Sequence, residues 1–210
     1  MVIDAAGIIG ISDLVAIGVF AASGALAAAQ KRLDITAFIL FGTTTGVGGG
    51  TLRDLLLDTP VFWISDTRYL WVCVAVSALT WYLAPQLKAR QRLLLWADAL
   101  GLALFSVLGC AKCLSMGVAP IVAVGMGVMS ATFGGLIRDT LLGRDTVALG
   151  PEIYVTAALA GAVSYAVLEG VSTLGSETTL LLAMVPAFVL RAGAILRGWR
   201  LPAYRRLGDS

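Results

Sequence analysis

One charged phrase occurs twice in this 210-residue chain. The first copy is Gly-Gly-Thr-Leu-Arg-Asp at 49–54, and the second is Gly-Gly-Leu-Ile-Arg-Asp at 134–139. Each copy follows a long apolar segment. Glycine pairs loosen a helix there, and an arginine–aspartate pair is costly in free energy to hold near lipid. Because a phrase this costly is present in both copies, we interpret it as the working part of the protein.

The composition indicates a membrane protein. The chain is 59% hydrophobic and only 13% charged, with a mean hydropathy of +0.91, whereas a soluble domain has roughly 25% charged residues. The 24 glycines also fit membrane helices, in which glycine is frequent. The net charge is only +2, which gives no indication of a nucleic-acid partner.

The residue types argue against an enzyme. The chain has no histidine, no paired carboxylates within one apolar segment and no nucleophile beside a base. We therefore expect no metal site and no cofactor. Cys110 and Cys113 have the spacing of a redox motif, but they lie inside an apolar segment, so we interpret them as packing residues.

Seven apolar segments approach the length of about 20 residues that a spanning helix needs. Polar or helix-terminating residues separate them. The sequence therefore predicts an all-α, polytopic membrane protein with spans at about 8–29, 35–57, 69–85, 93–114, 118–142, 152–169 and 178–197.

Basic residues predict the orientation of the spans. They follow spans one, three, five and seven, whereas the opposite connections are acidic or mixed. Cytoplasmic loops carry an excess of lysine and arginine, so we expect an outside N-terminus and a cytoplasmic C-terminus. The basic residues are Lys31, Arg32, Lys88, Arg90, Arg92, Arg144, Arg197, Arg200, Arg205 and Arg206.

The spacing between the two phrases, from Gly49 to Gly134, recurs along most of the chain, and we call it the repeat offset. It also pairs Asp13 with Asp98, Gly24 with Gly109, and other residues up to Tyr69 with Tyr154. Each copy contains three spans, and an odd number inverts the second copy in the membrane. We therefore predict two inverted three-helix repeats at 8–85 and 93–169, a seventh helix at 178–197 and a cytoplasmic basic tail at 198–210.

The glycine-rich spans two and five allow two interpretations. Three successive glycines reduce helix propensity by roughly 3 kcal/mol relative to alanine, and a break there would free carbonyl oxygens to line a hydrated ion path. Alternatively, glycines at every fourth position form a ridge that only packs helices together. The candidate path residues are Gly48, Gly49, Gly50, Thr51, Arg53, Asp54, Ser130, Thr132, Gly134, Gly135, Arg138 and Asp139.

The remaining charges near lipid also have two interpretations each. The two Arg-Asp pairs could be ion pairs at the headgroup level. Lys112 either extends to the outer interface or meets carbonyls freed at Gly48–Gly50, and we expect Arg191 to extend towards the inner interface. The equivalent residues Asp13 and Asp98 are either helix-start caps or charges at the mouth of a path.

These features resemble the prokaryotic members of the trimeric intracellular cation channel family, which also carry the label of a glycine transporter domain. The resemblance rests on the doubled Gly-Gly-x-x-Arg-Asp phrase, the layout of three, three and one spans, and the lysine in span four. It covers about residues 8–197. It implies a homotrimer in a prokaryotic inner membrane, with a pore in each protomer between kinked second and fifth helices. It further implies passage of K⁺ in preference to Na⁺, with Lys112 as the counterpart of a gating lysine.

The sequence leaves a second function open. Interrupted helices in inverted repeats also suit a secondary transporter, in which a helix N-terminus binds the carboxylate of glycine or another small amino acid. This alternative has less support, because no acidic coupling residue lies clearly at the middle of a span.

Overall fold

The computed structural model describes residues 5–87, 90–146, 150, 152–172 and 174–202. Several charged residues named above lie outside this part of the chain, namely Lys88, Arg205 and Arg206. Most of the predicted basic tail, from residue 203 onward, lies outside it as well.

The described residues form an all-α fold. Five of its helices are long and apolar enough to cross a membrane, while α4 and α7 are shorter, with 16 and 17 residues. The helices are α1 (Ala5–Gln30), α2 (Ile35–Leu56), α3 (Phe62–Ser65), α4 (Arg68–Leu83), α5 (Arg90–Ser115), α6 (Pro120–Leu141), α7 (Val155–Val171) and α8 (Ser176–Arg197).

The predicted spans match these helices closely, and their bounds differ by no more than a single helical turn. The sequence did not predict the single turn α3, which lies between α2 and α4. Of the two interpretations of the glycines in span two, the break is wrong, because α2 runs as one continuous helix through Gly48, Gly49 and Gly50.

Local sequence signals explain where the helices begin. Asp34 caps α2: its Oδ1 accepts hydrogen bonds from the Ala37 amide at 2.8 Å and the Thr36 hydroxyl at 2.7 Å. These two bonds, with that of Thr36 as the larger cause, lower the pKa of Asp34 below its ordinary value. In α6, Pro120 occupies the first turn, where its missing N–H breaks no helical bond.

Five helices end with a residue in the left-handed conformation just past the last turn. These residues are Arg32 after α1, Asp58 after α2, Gly117 after α5, Gly143 after α6 and Gly198 after α8. After α1, the Arg32 amide donates to the Ala29 carbonyl and the Leu33 amide donates to the Ala28 carbonyl, which is the Schellman motif. The repeat offset separates Arg32 from Gly117 and Asp58 from Gly143.

The interior is organised around α1 and α5. Helix α1 packs against α2, α4 and α5, whereas α5 packs against α6, α7 and α8, and α2 crosses α6. At the α1–α5 contact, Phe20 stacks on Phe105 with ring centroids 5.0 Å apart and planes inclined by 8°. The repeat offset pairs these two rings, so equivalent residues of the two segments meet at the centre.

Candidate functional site

The two glycine-rich helices are in backbone contact where they cross. A Cβ atom on Gly49 of α2 would collide with the carbonyl oxygen of Ser130 in α6, and one on Gly134 would collide with that of Thr45. The two contacts are reciprocal, because the repeat offset relates Thr45 to Ser130 just as it relates Gly49 to Gly134. The glycines thus bring two unbroken helices together, which explains why the low helix propensity of α2 does not break it.

The glycine ridge of α2 also serves packing. A Cβ atom on Gly46 would lie 3.0 Å from the Cys73 sulfur, and one on Gly50 would lie 2.7 Å from the Phe62 ring. On the flanks of the crossing, a Cβ atom on Gly48 would lie 3.0 Å from the Ile137 side chain. One on Gly135 would lie 2.8 Å from the Tyr154 hydroxyl. None of the five candidate path glycines therefore faces open space.

The candidate path hydroxyls differ in their bonding. Thr51 donates to the Val47 carbonyl at 2.7 Å, and Thr132 donates to the Val128 carbonyl at 2.9 Å, so both donate within their own helices. Thr51 also accepts a hydrogen bond from Trp63 Nε1 at 2.8 Å. The Ser130 hydroxyl is buried at the crossing and has no hydrogen-bond partner among the described residues. It is consequently the candidate hydroxyl that is buried and available to bind something else.

The first Arg-Asp phrase forms a three-residue charge cluster, which we call the Asp54 cluster: Arg53, Asp54 and Lys112. The Arg53 Nε and Nη2 atoms lie 2.9 and 2.8 Å from Asp54 Oδ1, and Lys112 Nζ lies 2.9 Å from the same oxygen. The second oxygen, Oδ2, accepts the Phe62 amide at 3.0 Å. Lys112 therefore points inward, but it meets a carboxylate rather than the freed carbonyls predicted at Gly48–Gly50.

A cavity of about 310 Å³ opens beside the Asp54 cluster, between α1, α2, α5, α7 and α8. Asp13, Arg53, Lys112 and Glu169 line it, so two carboxylates and two cations surround the same space. The side chain of Lys112 is 34% exposed, whereas that of Asp54 is 0% exposed. The lysine thus stands between the buried carboxylate and the cavity. Asp13 lines the same cavity.

The second Arg-Asp phrase forms the Arg138 cluster: Arg138, Asp98 and Asp139. Arg138 Nη1 donates to Asp98 Oδ1 at 2.7 Å and to the Ser23 hydroxyl at 2.5 Å. Its Nε and Nη2 atoms donate to Asp139 at 2.8 and 3.1 Å. The arginine therefore joins α1, α5 and α6 at one point. Asp98 lies well inside α5 as the ion-pair partner of Arg138, so it is not a helix-start cap.

The arginines of both Arg-Asp pairs are buried within the protein. Arg138 is 1% exposed and Arg53 is 5% exposed. A second cavity of about 190 Å³ reaches the Arg138 cluster and is lined also by Gln30, Gln91 and Arg144. Asp98 and Lys112 belong to different clusters and are both on α5, where their positions in the chain place the clusters about 21 Å apart along the helix axis.

The two clusters carry opposite formal charge when their carboxylates are ionised. The Asp54 cluster has two cations and one carboxylate, which leave +1, while the Arg138 cluster has one cation and two carboxylates, which leave −1. In a poorly solvated interior, single charges produce a strong local field, which is negative at the Arg138 cluster and positive at the Asp54 cluster.

Arg191 differs from its prediction as well. The residue is 0% exposed, its Nη1 donates to Glu152 at 2.8 Å, and its guanidinium lies 5.0 Å from the centroid of the Tyr154 ring. It therefore packs inside the protein and does not extend to the interface. Ser23 was not predicted from the sequence. Asp98 was singled out in the sequence only because the repeat offset pairs it with Asp13, and that pairing did not identify Arg138 as its partner.

The chain matches known proteins along most of its length. A family model described as Glycine transporter matches residues 10–85 and, again, residues 95–170. The two matched segments are separated by the same repeat offset as the charged phrases.

Relatives and solved structures agree with this match. The UPF0126 inner membrane protein YadS of Escherichia coli strain K12 is 37% identical over 91% of this chain and 94% of its own length. The trimeric intracellular cation channel (TRIC) orthologue from Rhodobacter sphaeroides has 42% identity and a TM-score of 0.88, with coverage of 91% and 99% of the two chains. A prokaryotic TRIC channel in 0.5 M KCl has 30% identity and a TM-score of 0.84, with coverage of 92% and 98%.

Proposed function

We propose, from the premise that this chain belongs to the trimeric intracellular cation channel family, that it is a channel for monovalent cations. It is a multi-pass inner membrane protein, as its E. coli relative is named and as its long apolar helices agree. Solved relatives with 42%, 30% and 28% identity are named as TRIC channels. Because the related TRIC proteins are channels, the chain is not an enzyme.

One observation of the site carries this proposal. Two buried charge clusters lie about 21 Å apart along α5, with the α2–α6 crossing between them, and each cluster is reached by its own cavity. Charged side chains inside membrane proteins are rare and mark ion pathways. An ion path through each protomer would therefore run from one cavity to the other, past Arg53 and Asp54, the crossing, and Arg138 and Asp139.

The charges of the two clusters suggest how the path is controlled. The net −1 of the Arg138 cluster would hold a cation at one end. At the other end, the Lys112 ammonium occupies the Asp54 oxygen that a cation would use. Release of Lys112 into its cavity, where Glu169 offers a second carboxylate, would leave a neutral Arg53–Asp54 pair. We therefore assign Lys112 the role of a gate whose charge can respond to the membrane potential.

The crossing itself would be the second barrier. Gly49 and Gly134 hold the helices in backbone contact there. A small separation of α2 and α6 would expose the Ser130 hydroxyl and nearby carbonyls to a passing ion, which needs oxygen ligands in place of water. In this open state the glycines, Thr51 and Thr132 would border the path that the sequence predicts.

The proposed assembly, ion preference and topology rest on family membership. We propose a homotrimer with one pore per protomer, K⁺ passing in preference to Na⁺, and seven spans with an outside N-terminus and a cytoplasmic C-terminus. The repeats at 8–85 and 93–169 would be inverted around the α2–α6 crossing, with the helix at 178–197 and the tail at 198–210 outside them. The reciprocal contacts of Gly49 with Ser130 and of Gly134 with Thr45 support this symmetry.

The description of the matching family model favours a second function, transport of glycine or another small amino acid. A transporter needs a free cation or helix terminus for the substrate carboxylate. The Arg138 guanidinium does not suit this role, because all three of its nitrogens already donate to Asp98, Asp139 or Ser23. The channel is therefore the better supported function.

Bilayer recording of the purified protein with K⁺ on one side and Na⁺ on the other tests the proposal. We expect discrete single-channel currents and a reversal potential displaced towards that of K⁺. A correctly folded reconstitution without currents would contradict a channel. Liposome uptake of labelled glycine is the companion assay, because saturable uptake with counterflow would favour the transporter instead.

A further inference from the structure

A groove on the described part of the protein lies away from both charge clusters. It has a volume of about 720 Å³ and opens where α1 ends, α2 begins and α4 ends. Apolar and aromatic side chains line it together with Arg32. The residues that matter here are Ala29, Arg32, Leu33, Phe38, Trp81 and Tyr82. Neither the proposed ion path nor its gate uses any of these residues.

Arg32 stands at a backbone position that favours glycine. Its φ is 55°, in the left-handed region, and its equivalent after α5 is Gly117, with a φ of 76°. The second pair of equivalent helix ends has Asp58 at 52° and Gly143 at 60°. Glycine adopts this conformation without the crowding of a Cβ atom. An arginine here therefore indicates that its side chain has a use that outweighs the backbone strain.

The surroundings of Arg32 indicate a membrane surface. Tyr82 is 74% exposed and Trp81 is 38% exposed in the last turn of α4, and such aromatic residues concentrate at the level of lipid headgroups. Phe38 and Leu33 provide an apolar floor beside them. Lys31 and Arg32 are both exposed, so this end of the protein attracts anionic lipid.

We propose that this groove is a binding site for an anionic phospholipid. The acyl chain would lie on Leu33 and Phe38, and the phosphate would bind the Arg32 guanidinium, whose planar donors suit two phosphate oxygens. Trp81 and Tyr82 would flank the glycerol region. The site does not depend on ion conduction, so it can be tested without any current measurement.

The test compares lipid binding to the purified full-length protein by native mass spectrometry and by thermal unfolding in detergent. The probes are dioleoyl phosphatidylglycerol, dioleoyl phosphatidylcholine and inorganic phosphate. Of the three probes, we expect only phosphatidylglycerol to bind and to raise the melting temperature of the protein. Arg32→Gly should weaken that binding about fivefold, which corresponds to one basic residue near an anionic surface. Because it relieves the left-handed backbone, this variant should unfold no earlier than the wild type without lipid.

Two variants serve as matched controls. Asp58→Gly makes the same backbone change at another left-handed helix end, and Arg68→Gln removes one positive charge at the other end of α4. Both should bind phosphatidylglycerol as the wild type does. Equal binding of phosphatidylglycerol to wild type and Arg32→Gly would overturn the proposal, as would equal binding of the two lipids or protection by phosphate alone. A changed oligomer mass in Arg32→Gly with unchanged lipid binding would also overturn it and assign the groove to a second copy of the chain.

Discussion

Replacing Lys112 with methionine tests the gate directly. The change keeps a long side chain but removes the ammonium that lies 2.9 Å from Asp54 Oδ1. Asp54 keeps its bonds to Arg53 and to the Phe62 amide, so it does not become an unpaired buried charge. We therefore expect Lys112→Met to fold normally and to change gating rather than stability.

The size of the effect follows from the bond that is lost. A hydrogen bond to a charged group contributes roughly 1.5–3 kcal/mol. Because the lysine side chain is 34% exposed and water screens it, the lower end of this range applies. A closed state that loses about 1.5 kcal/mol should show an open-to-closed ratio about tenfold higher. Voltage dependence should also flatten, since a mobile charge is absent.

Single-channel recording in planar bilayers with equal K⁺ on both sides measures both quantities. Lys112→Arg is the matched control: it keeps the positive charge beside Asp54 and should keep most of the closed state. Melting temperatures of all three proteins establish that they are folded. If folded Lys112→Met had the wild-type open-to-closed ratio and the wild-type voltage dependence, Lys112 would not be the gate.

Four further substitutions test the packing and the buried charges through thermal unfolding in detergent. Gly49→Ala should lower the melting temperature, because the added Cβ would collide with a carbonyl of α6. This effect should exceed the gain in helix propensity of about 1 kcal/mol. Gly125→Ala is the control and should raise the melting temperature, because its Cβ would have nothing within 4 Å. Shifts of the same sign would contradict the backbone contact. Arg138→Met should destabilise the fold by about 3–5 kcal/mol, because it leaves two buried carboxylates without their cation. A loss of stability below about 1 kcal/mol would indicate that the ion pairs are solvated. Arg191→Met should stay within about 1 kcal/mol of the wild type, since the carboxylate of Glu152 is 43% exposed and can return to water. A loss as large as that of Arg138→Met would refute this distinction.

The sequence predicted much of the fold because helix positions depend on local hydropathy. Apolar segments bounded by polar breaks predicted helices to within a single turn of their observed bounds. The repeat offset also predicted which residues are equivalent, and the stacking of Phe20 on Phe105 agrees with it. The turn α3 was missed because a segment as short as Phe62–Ser65 carries too little pattern to distinguish it from a loop.

The unbroken α2 shows where local reasoning failed. The propensity of three glycines favours a break by roughly 3 kcal/mol. That value applies to an isolated helix, whereas here the same glycines admit the backbone of α6. The free energy gained from contacts between helices can exceed the cost of a low helix propensity, and no sequence pattern within α2 identifies its partner helix.

The sequence by itself determined that two equivalent Arg-Asp phrases lie near the ends of the two glycine-rich helices. Only the tertiary structure decided their partners, because a buried charge bonds to whatever the helix crossings bring within about 3 Å. Arg138 of α6 bonds to Asp98 of α5 and to Ser23 of α1, while Lys112 of α5 bonds to Asp54 of α2. These partners leave one cluster with a charge of +1 and the other with −1, a difference that two nearly identical phrases could not reveal.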